Sequence, residues 1–212
     1  MNIPVASRHT RTALTGPVGV VVNYRTGSTV VLTGEPLSRW LGSLKDGDAP
    51  PPVTVRPSES SWGTSEASAR LDAVDLAPWS WRVAATVALA VTLTARHLGR
   101  RRTRFGRLVR LAEAGRTLPP PSRAHASLAV RSVRWAARLF PARVACLEES
   151  TTAALLLAAG GRGRAWRHGI ATDPIRMHAW ICDVHGQPVE EPDQTRDYSP
   201  INGPEPTSKG CP

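Results

Sequence analysis

The change of pattern at Gly160-Gly161 constrains the fold of this chain more than any other feature. Between Pro78 and Ala159, apolar residues recur at the spacing of helices, whereas residues 165–172 and 175–184 alternate with a period of two. A helical block followed by paired strands is typical of an α+β domain. We therefore expect helices that pack on a small antiparallel sheet.

The boundaries of the predicted elements follow from turn residues and breakers. Ser122 is a suitable N-cap, Pro141 is a suitable first helical residue, and the two glycines end the last helix. The predicted helices cover residues 78–98, 105–114, 122–139 and 141–159. The Thr172-Asp173-Pro174 turn would join the two strands, and a short third strand at 187–190 would follow the His185-Gly186 turn.

The N-terminal region predicts a smaller unit. Val18–Tyr24 and Thr29–Leu32 form a predicted β-hairpin, and Glu35–Leu44 carries apolar residues at helical spacing. A hairpin with one helix has too little core to be stable alone, so we expect it to dock on the rest of the protein.

These patterns predict four regions. Residues 1–45 are the hairpin and helix, and 46–77 are a Pro/Ser-rich linker with a short helix near 65–74. Residues 78–195 are the main domain, and 196–212 are a flexible tail.

Composition narrows the class of protein. The net charge is +10, with 27 basic and 17 acidic residues, and 25 of the basic residues are arginine, which indicates codon bias in a GC-rich genome. The basic residues concentrate in 96–143 and the acids in 183–212, so the two regions could pair with each other, or the helices could dock an acidic partner. Three cysteines are too few and too uneven for a disulfide scaffold.

The chain also has no segment of the length that targeting or membrane insertion requires. Residues 1–13 contain no signal-peptide core, and the weakly polar run 83–94 falls short of the roughly 20 residues of a membrane span. We expect a cytoplasmic protein without a membrane span.

Cys146 is the candidate nucleophile. It falls within the first two turns of the predicted helix 141–159, where unpaired backbone N–H groups and the helix dipole favour thiolate over thiol. Arg143 adds positive charge one turn earlier. Taken alone, Cys146 would more often be an inert buried residue, but a histidine downstream changes this interpretation.

His178 is the candidate general base. On its predicted strand it shares a face with Arg176, Trp180 and Cys182. A histidine on a strand beside a helix N-terminus can take the proton of a cysteine and later return it to a departing amine. Cys146 and His178 together therefore predict a thiol enzyme.

A third group should orient the imidazole, and three acids are candidates. Asp183 lies at an odd offset from His178 and would point to the opposite face of the strand. Glu190 lies past the His185-Gly186 turn, where the chain folds back beside His178. We therefore predict Glu190 as the acid, with Glu191 as the second choice.

Zinc binding is a competing use of the same region. Cys146, His178, Cys182 and His185 could supply four ligands, but no Cys-x-x-Cys or His-x-x-x-His spacing is present. The sequence also contains no Walker-type phosphate loop and no dinucleotide fingerprint. We therefore expect this chain to bind no cofactor.

Four segments, taken in order, resemble the actinobacterial B proteins of lasso-peptide biosynthesis: PARVACLEES (141–150), HGIATDP (168–174), MHAW (177–180) and GQPVEEP (186–192). The resemblance extends over roughly residues 78–192. The N-terminal hairpin and helix resemble a short, degenerate form of the PqqD-like domain, which binds leader peptides as an added edge strand.

The resemblance implies a papain/transglutaminase-like core with Cys146 as nucleophile and His178 as base. The acid of that family is usually an aspartate about a dozen residues after the histidine, a position that Glu190 occupies here. The implied activity is removal of the leader from a ribosomally made precursor peptide. The implied partners are that precursor, a macrolactam-forming cyclase, which alone would use ATP, and a separate PqqD-like leader-binding protein.

Two other classes of function remain open on the sequence. The first is a non-catalytic basic adaptor for nucleic acid, which the net charge favours. Against it, the arginines are scattered around helices and no reading helix or aromatic stacking motif is recognisable, so we expect no nucleic-acid partner. The second is a thiol enzyme that transfers acyl groups to amines, and the mass of the product would separate transfer from hydrolysis.

Overall fold

The computed structural model describes residues 9–45, 53–54, 77–141, 143–172 and 175–201. The helices in these ranges are α1 (Gly34–Lys45), α2 (Trp79–His97), α3 (Arg104–Ala112), α4 (Arg123–Ala137) and α5 (Cys146–Ala159). The strands are β1 (Thr10–Thr15), β2 (Val18–Asn23), β3 (Thr29–Thr33), β4 (Val53–Thr54), β5 (Trp166–Thr172), β6 (Ile175–Ile181) and β7 (Ser199–Pro200). The predicted mixture of helices and small antiparallel sheets is confirmed.

The helical block agrees with the prediction except at the start of α5. Ser122 caps α4 as expected, because its side chain accepts a hydrogen bond from the His125 N–H. The predicted start of the next helix at Pro141 is wrong, since α5 begins at Cys146. Its first turn is held by Glu148, whose carboxylate accepts a hydrogen bond from the Ala145 N–H at 3.2 Å. The correction puts Cys146 at the first helical residue.

The C-terminal sheet has the order β6-β5-β7, and its register places Gly169 opposite His178. β7 comes from residues that the sequence assigned to the flexible tail. It pairs with β5, and the Ile201 N–H donates to the His168 carbonyl at 2.8 Å. The domain therefore extends at least to Ile201, beyond the boundary predicted at 195. The rest of the predicted tail, 202–212, lies outside the described residues.

The N-terminal region is a sheet of order β3-β2-β1-β4 with α1 packed on one face. The predicted hairpin and helix are present, but β1 and the two-residue β4 were not predicted. The short helix predicted near 65–74, like most of the linker, lies outside the described residues.

The N-terminal sheet docks on the main domain, as its small core requires. Along β2, Val21 faces α1 and packs with Trp40, whereas Val20 and Val22 face the other way and belong to the same core as the helices of the main domain. At the junction Gly106 has no room for a side chain, because a Cβ there would lie 2.7 Å from the Arg25 carbonyl oxygen. One face of the N-terminal sheet therefore shares the core of the main domain, whereas the other face forms a separate cluster with α1.

A buried polar contact completes this junction. The Tyr24 hydroxyl and His168 Nδ1 are 2.8 Å apart, and His168 stacks on Trp166 with the ring planes 7° apart. Burial and the charge of His178 lower the pKa of His168 to about 4, so its ring is neutral at pH 7. His168, part of one sequence motif, is thus a core residue that joins the two sheets.

This low pKa predicts that the protein loses stability in mild acid. His168 binds a proton in the unfolded state below about pH 6.5 but in the folded state only below about 4, so stability is full above pH 6.5 and falls as the pH drops towards 4. Between pH 7 and pH 5 we expect a loss of about 2 kcal/mol. Urea unfolding of wild type and His168→Gln at the two pH values measures it. An equal loss in both proteins would mean that other groups cause it.

Candidate active site

Cys146 occupies the first position of α5, with its side chain free of any disulfide and accessible to solvent. The first backbone N–H groups of an α-helix have no partner within the helix, and the helix dipole is positive at this end. The site thus begins with a thiol held where negative charge is stabilised, as the sequence predicted.

His178 lies on β6, which packs against α5, and its imidazole lines the same cavity as the Cys146 thiol. Burial raises the pKa of Cys146, but hydrogen bonds from His178 and from the backbone of Ala179 and Leu147, together with the charge of His178, lower it by more than burial raises it. Burial lowers the pKa of His178, but its contacts with Cys146 and Glu191 raise it to about 9. At neutral pH these shifts favour a thiolate–imidazolium pair.

Glu191 lies on the other side of the imidazole. Its Oε2 is 2.7 Å from His178 Nε2, which leaves Nδ1 as the ring nitrogen that can face the thiol. The carboxylate is held in turn by the Thr195 hydroxyl, which donates at 3.3 Å, and by Arg134, 3.6 Å away. The side chain of Glu191 is only 9% exposed, so the surrounding residues restrict its conformation.

The prediction that Glu190 contacts His178 is wrong. The Glu190 carboxylate points towards α4 instead, where it accepts hydrogen bonds from the Ser127 hydroxyl at 2.5 Å and from Arg131 Nε at 2.9 Å. The cause is local: the chain pairs with β6 up to Val189, and Glu190 then adopts a left-handed conformation with φ of +58°. That turn takes Glu190 away from His178 and brings Glu191, the second choice, to it.

Asp183, the third acid considered, is part of a turn and not of this cluster. Its Oδ1 accepts hydrogen bonds from the backbone N–H groups of His185 and Gln187 at 2.9 and 3.0 Å, and its Oδ2 is 3.4 Å from Arg123. The predicted third strand at 187–190 is reduced to a single bridge between Cys182 and Pro188.

The three side chains open into a cavity of about 150 Å³ between α4, α5 and β6. Arg134 and Glu149 are two charged residues of this cavity that the sequence analysis missed. The Arg134 Nε donates to Glu149 at 2.7 Å while the same guanidinium lies beside Glu191. Arg134 therefore ties the start of α5 to the carboxylate that orients His178.

The aromatic rings of Trp180 and Tyr198 pack against the imidazole of His178. The Trp180 indole stacks on the imidazole with a centroid separation of 5.8 Å and an interplanar angle of 14°, and Tyr198 lies 5.4 Å from the imidazole. The indole fits because β5 has a glycine opposite His178: a Cβ at Gly169 would lie 2.5 Å from Trp180 Cη2 and 2.8 Å from the Ser199 carbonyl oxygen. The glycine of the HGIATDP segment thus makes room for this stack.

Replacing Gly169 by alanine is expected to disturb the site through Trp180. The added methyl group must displace the indole, which costs about 1–3 kcal/mol of stability and slows the alkylation of Cys146. Gly42→Ala is the matched control, because Gly42 lies in α1 with nothing near the added Cβ. Thermal unfolding and the rate of Cys146 alkylation measure both effects. Equal behaviour of the two variants would show that the Trp180 stack does not position His178.

The remaining candidate ligands do not assemble into a metal site. Cys182 is buried, its Sγ accepts a hydrogen bond from Trp180 Nε1 at 3.2 Å, and burial raises its pKa to about 11. Among the residues that the structure describes, no three His, Cys, Asp or Glu side chains come close enough to hold a metal ion. Nor does any helix in those ranges have the length and apolarity to cross a membrane.

One comparison with known proteins identifies a family. The family model described as transglutaminase-like superfamily matches residues 87–203, more than half of the chain, including Cys146, His178 and Glu191. No curated protein and no solved structure gives a significant match to the chain.

Proposed function

Because the chain belongs to the transglutaminase-like superfamily, we propose that it is a cysteine peptidase with Cys146, His178 and Glu191 as its catalytic triad. Its proposed substrate is a ribosomally made lasso-peptide precursor, from which it removes the leader in the cytoplasm. The superfamily generally contains cysteine-dependent hydrolases and transferases. The finer assignment to leader removal is supported by the four sequence segments shared with the lasso-peptide B proteins.

One observation carries the proposal: a thiol at the start of α5 shares a cavity with an imidazole whose Nε2 is 2.7 Å from a carboxylate. This order of nucleophile, base and orienting acid is the arrangement that acyl transfer to and from a thiol requires. The lowered pKa of Cys146 and the raised pKa of His178 support the same roles.

The reaction would proceed in two stages. The Cys146 thiolate attacks the carbonyl carbon of the scissile peptide bond, and the backbone N–H of Cys146 is a suitable donor to the oxyanion that forms. The His178 imidazolium then gives its proton to the departing amine, leaving a thioester on Cys146. Water, deprotonated by the now neutral imidazole, attacks the thioester, releases the leader as a carboxylic acid and restores the thiolate–imidazolium pair.

Glu191 would act on the base throughout this cycle. Its carboxylate accepts a hydrogen bond from the Nε2–H group, which keeps Nδ1 directed at the thiol and stabilises the imidazolium. Thr195 and Arg134 would keep the carboxylate in this position.

Two features support binding of a peptide near the N-terminal sheet. β3 is an edge strand of that sheet, so its outer side offers backbone groups to an added strand. The Thr29 hydroxyl, at the start of β3, also donates to the Met177 sulfur, next to His178, at 3.8 Å. A leader on this edge would lie close to the active site, either held by the PqqD-like fragment alone or together with a separate leader-binding protein. The freed amine would then pass to the partner cyclase.

The experiment is incubation of the purified protein with a synthetic full-length lasso precursor, followed by mass spectrometry. Hydrolysis predicts two fragments whose masses add up to the precursor plus one water. Added alkylamine distinguishes the alternative, because an acyl-transfer enzyme would produce the leader as its amide. No cleavage, even with a leader-binding partner protein and cyclase present, would contradict the proposed substrate, and unreactive Cys146 would contradict thiol chemistry altogether.

A further inference from the structure

A line of apolar side chains runs along the outer face of α2. Trp79, Val83, Val87 and Val91 repeat every fourth residue, and each is between 45% and 70% exposed. Residues four apart lie on one side of a helix, so these side chains form a continuous stripe. Apolar patches of this length on a helix usually mark a binding surface.

The first three residues of the stripe, Trp79, Val83 and Val87, form one wall of a groove. Trp135 and Leu139, in and just after α4, form the other wall, and the groove encloses about 270 Å³. The Trp79 and Trp135 rings meet edge to face with centroids 6.5 Å apart. Leu139 is 57% exposed. We call this feature the α2/α4 groove.

Positive charge surrounds the groove. The Arg82 guanidinium lies over the Trp135 ring, 5.3 Å from its centroid, and Arg138 is exposed next to Leu139. Neither α2 nor α4 contains an aspartate or glutamate, and the only acid in residues 79–143 is Glu113. A ligand with carboxylates beside an apolar ridge would complement both properties of this surface.

We propose that the α2/α4 groove is a docking site for an amphipathic helix of a partner protein, with a ridge of aliphatic side chains flanked by carboxylates. Helices dock in apolar grooves through anchors at i, i+3, i+4 and i+7, which lie along one side of the docked helix and can face the apolar stripe. The groove is separate from the catalytic cavity. α4 contributes to both, since Val130 and Arg134 line the cavity and Trp135 lines the groove.

Charge and shape favour this occupant over two others. A second copy of the chain would bring an equally basic rim into contact with the first, so like charges would oppose the dimer. An anionic membrane would satisfy the arginines, but a flat bilayer fits a protruding apolar face better than a groove. A helix with an apolar ridge fits the concave groove, and its flanking carboxylates complement the arginines beside it.

The test uses a fluorescent helical peptide of about 18 residues, five turns, with leucines at the anchor spacing and glutamates beside them. Its matched counterpart has lysine in place of each glutamate. Fluorescence anisotropy with the full-length protein should show that the glutamate peptide binds at least about tenfold more tightly than the lysine peptide. This preference should shrink as salt is added, because salt screens the rim.

Two variants locate the binding. Val83→Asp places a carboxylate inside the groove and should weaken binding at least about tenfold. Val184→Asp is the control, because Val184 is 52% exposed, against 45% for Val83, and lies in the turn after β6, away from the groove. Neither residue belongs to the catalytic cluster, so alkylation of Cys146 should be unchanged in both variants.

Four results would overturn the proposal. These are absence of binding at millimolar peptide, equal binding of the two peptides, equal binding by both variants, and unchanged affinity at high salt. Two further outcomes would assign the groove to another occupant: self-association in sedimentation equilibrium that Val83→Asp abolishes, or binding to phosphatidylglycerol vesicles that Val83→Asp abolishes. Because Cys146 chemistry is measured separately, failure here is distinguishable from failure of the proposed peptidase activity.

Discussion

Replacing Cys146 by alanine is expected to lower the rate of precursor cleavage by about 10⁴-fold or more. The variant keeps the imidazole, the carboxylate and the cavity but has no atom that can form the thioester. Cys146 is exposed at the first residue of α5, so the loss of its sulfur should leave the thermal unfolding midpoint unchanged. Single-turnover cleavage and thermal unfolding of the same preparation measure the two effects.

Cys182→Ala is the control for this prediction. Cys182 is the other free cysteine among the described residues, but it is buried and its pKa is raised to about 11. Its replacement removes a sulfur from the core and should reduce stability while most of the cleavage remains. Cleavage that survives in Cys146→Ala and disappears in Cys182→Ala would show that Cys182 is the nucleophile and would contradict the proposed mechanism.

Replacing Glu191 by glutamine is expected to reduce cleavage by about 10²-fold, whereas Glu190→Gln should retain nearly all of it. Glutamine keeps the shape of the side chain but removes the charge beside His178. The pKa of His178 then falls, the imidazolium no longer stabilises the thiolate, and the pKa of Cys146 rises. Glu190 lies against Ser127 and Arg131, so its neutralisation weakens only a partly exposed ion pair.

The pair of variants separates catalysis from folding, because the two residues are adjacent and the substitution is the same. The measurement is the ratio of the cleavage rates of Glu191→Gln and Glu190→Gln. Urea unfolding of both variants gives the fraction that is folded, for which each rate is corrected. A larger loss for Glu190→Gln would mean that Glu190, the residue that the family spacing favours, is the catalytic acid instead of Glu191. Equal small losses would mean that the strand alone positions His178.

Much of the fold could be predicted because its elements carry local signals. The serine cap of α4, the glycines after α5 and the alternation in β5 and β6 each act within a few residues of chain, and the structure has all of them. The approach of Cys146 and His178 could also be anticipated, since a helix start beside a strand of the same domain leaves few other arrangements.

The identity of the acid could not be predicted because it depends on one backbone dihedral angle. Glu190 and Glu191 have the same chemistry and adjacent positions, and the left-handed conformation of Glu190 decides which carboxylate meets His178. Non-glycine residues adopt this conformation only where the surroundings hold them there. Here the contacts of Glu190 with Ser127 and Arg131, distant in sequence, supply that constraint.

The position at which the N-terminal sheet docks could not be predicted for a similar reason. That it must dock follows from its small core, but where it docks depends on Tyr24 meeting His168, 144 positions away in the sequence. No local pattern encodes such a contact. The same holds for the Gly169–Trp180 fit, which becomes visible only once the strands are in register.

The pH dependence of Cys146 alkylation reports directly on the thiolate–imidazolium pair. Iodoacetamide reacts with thiolate, so peptide mass spectrometry after brief labelling from pH 4 to 10 gives the fraction ionised. Cys146 should react at lower pH than an ordinary thiol, because its pKa is lowered, and faster than Cys182 throughout. His178→Ala or Glu191→Gln, but not Glu190→Gln, should move the midpoint of this profile upward. An ordinary thiol profile in wild type, unchanged in all three variants, would mean that Cys146 and His178 form no such ion pair.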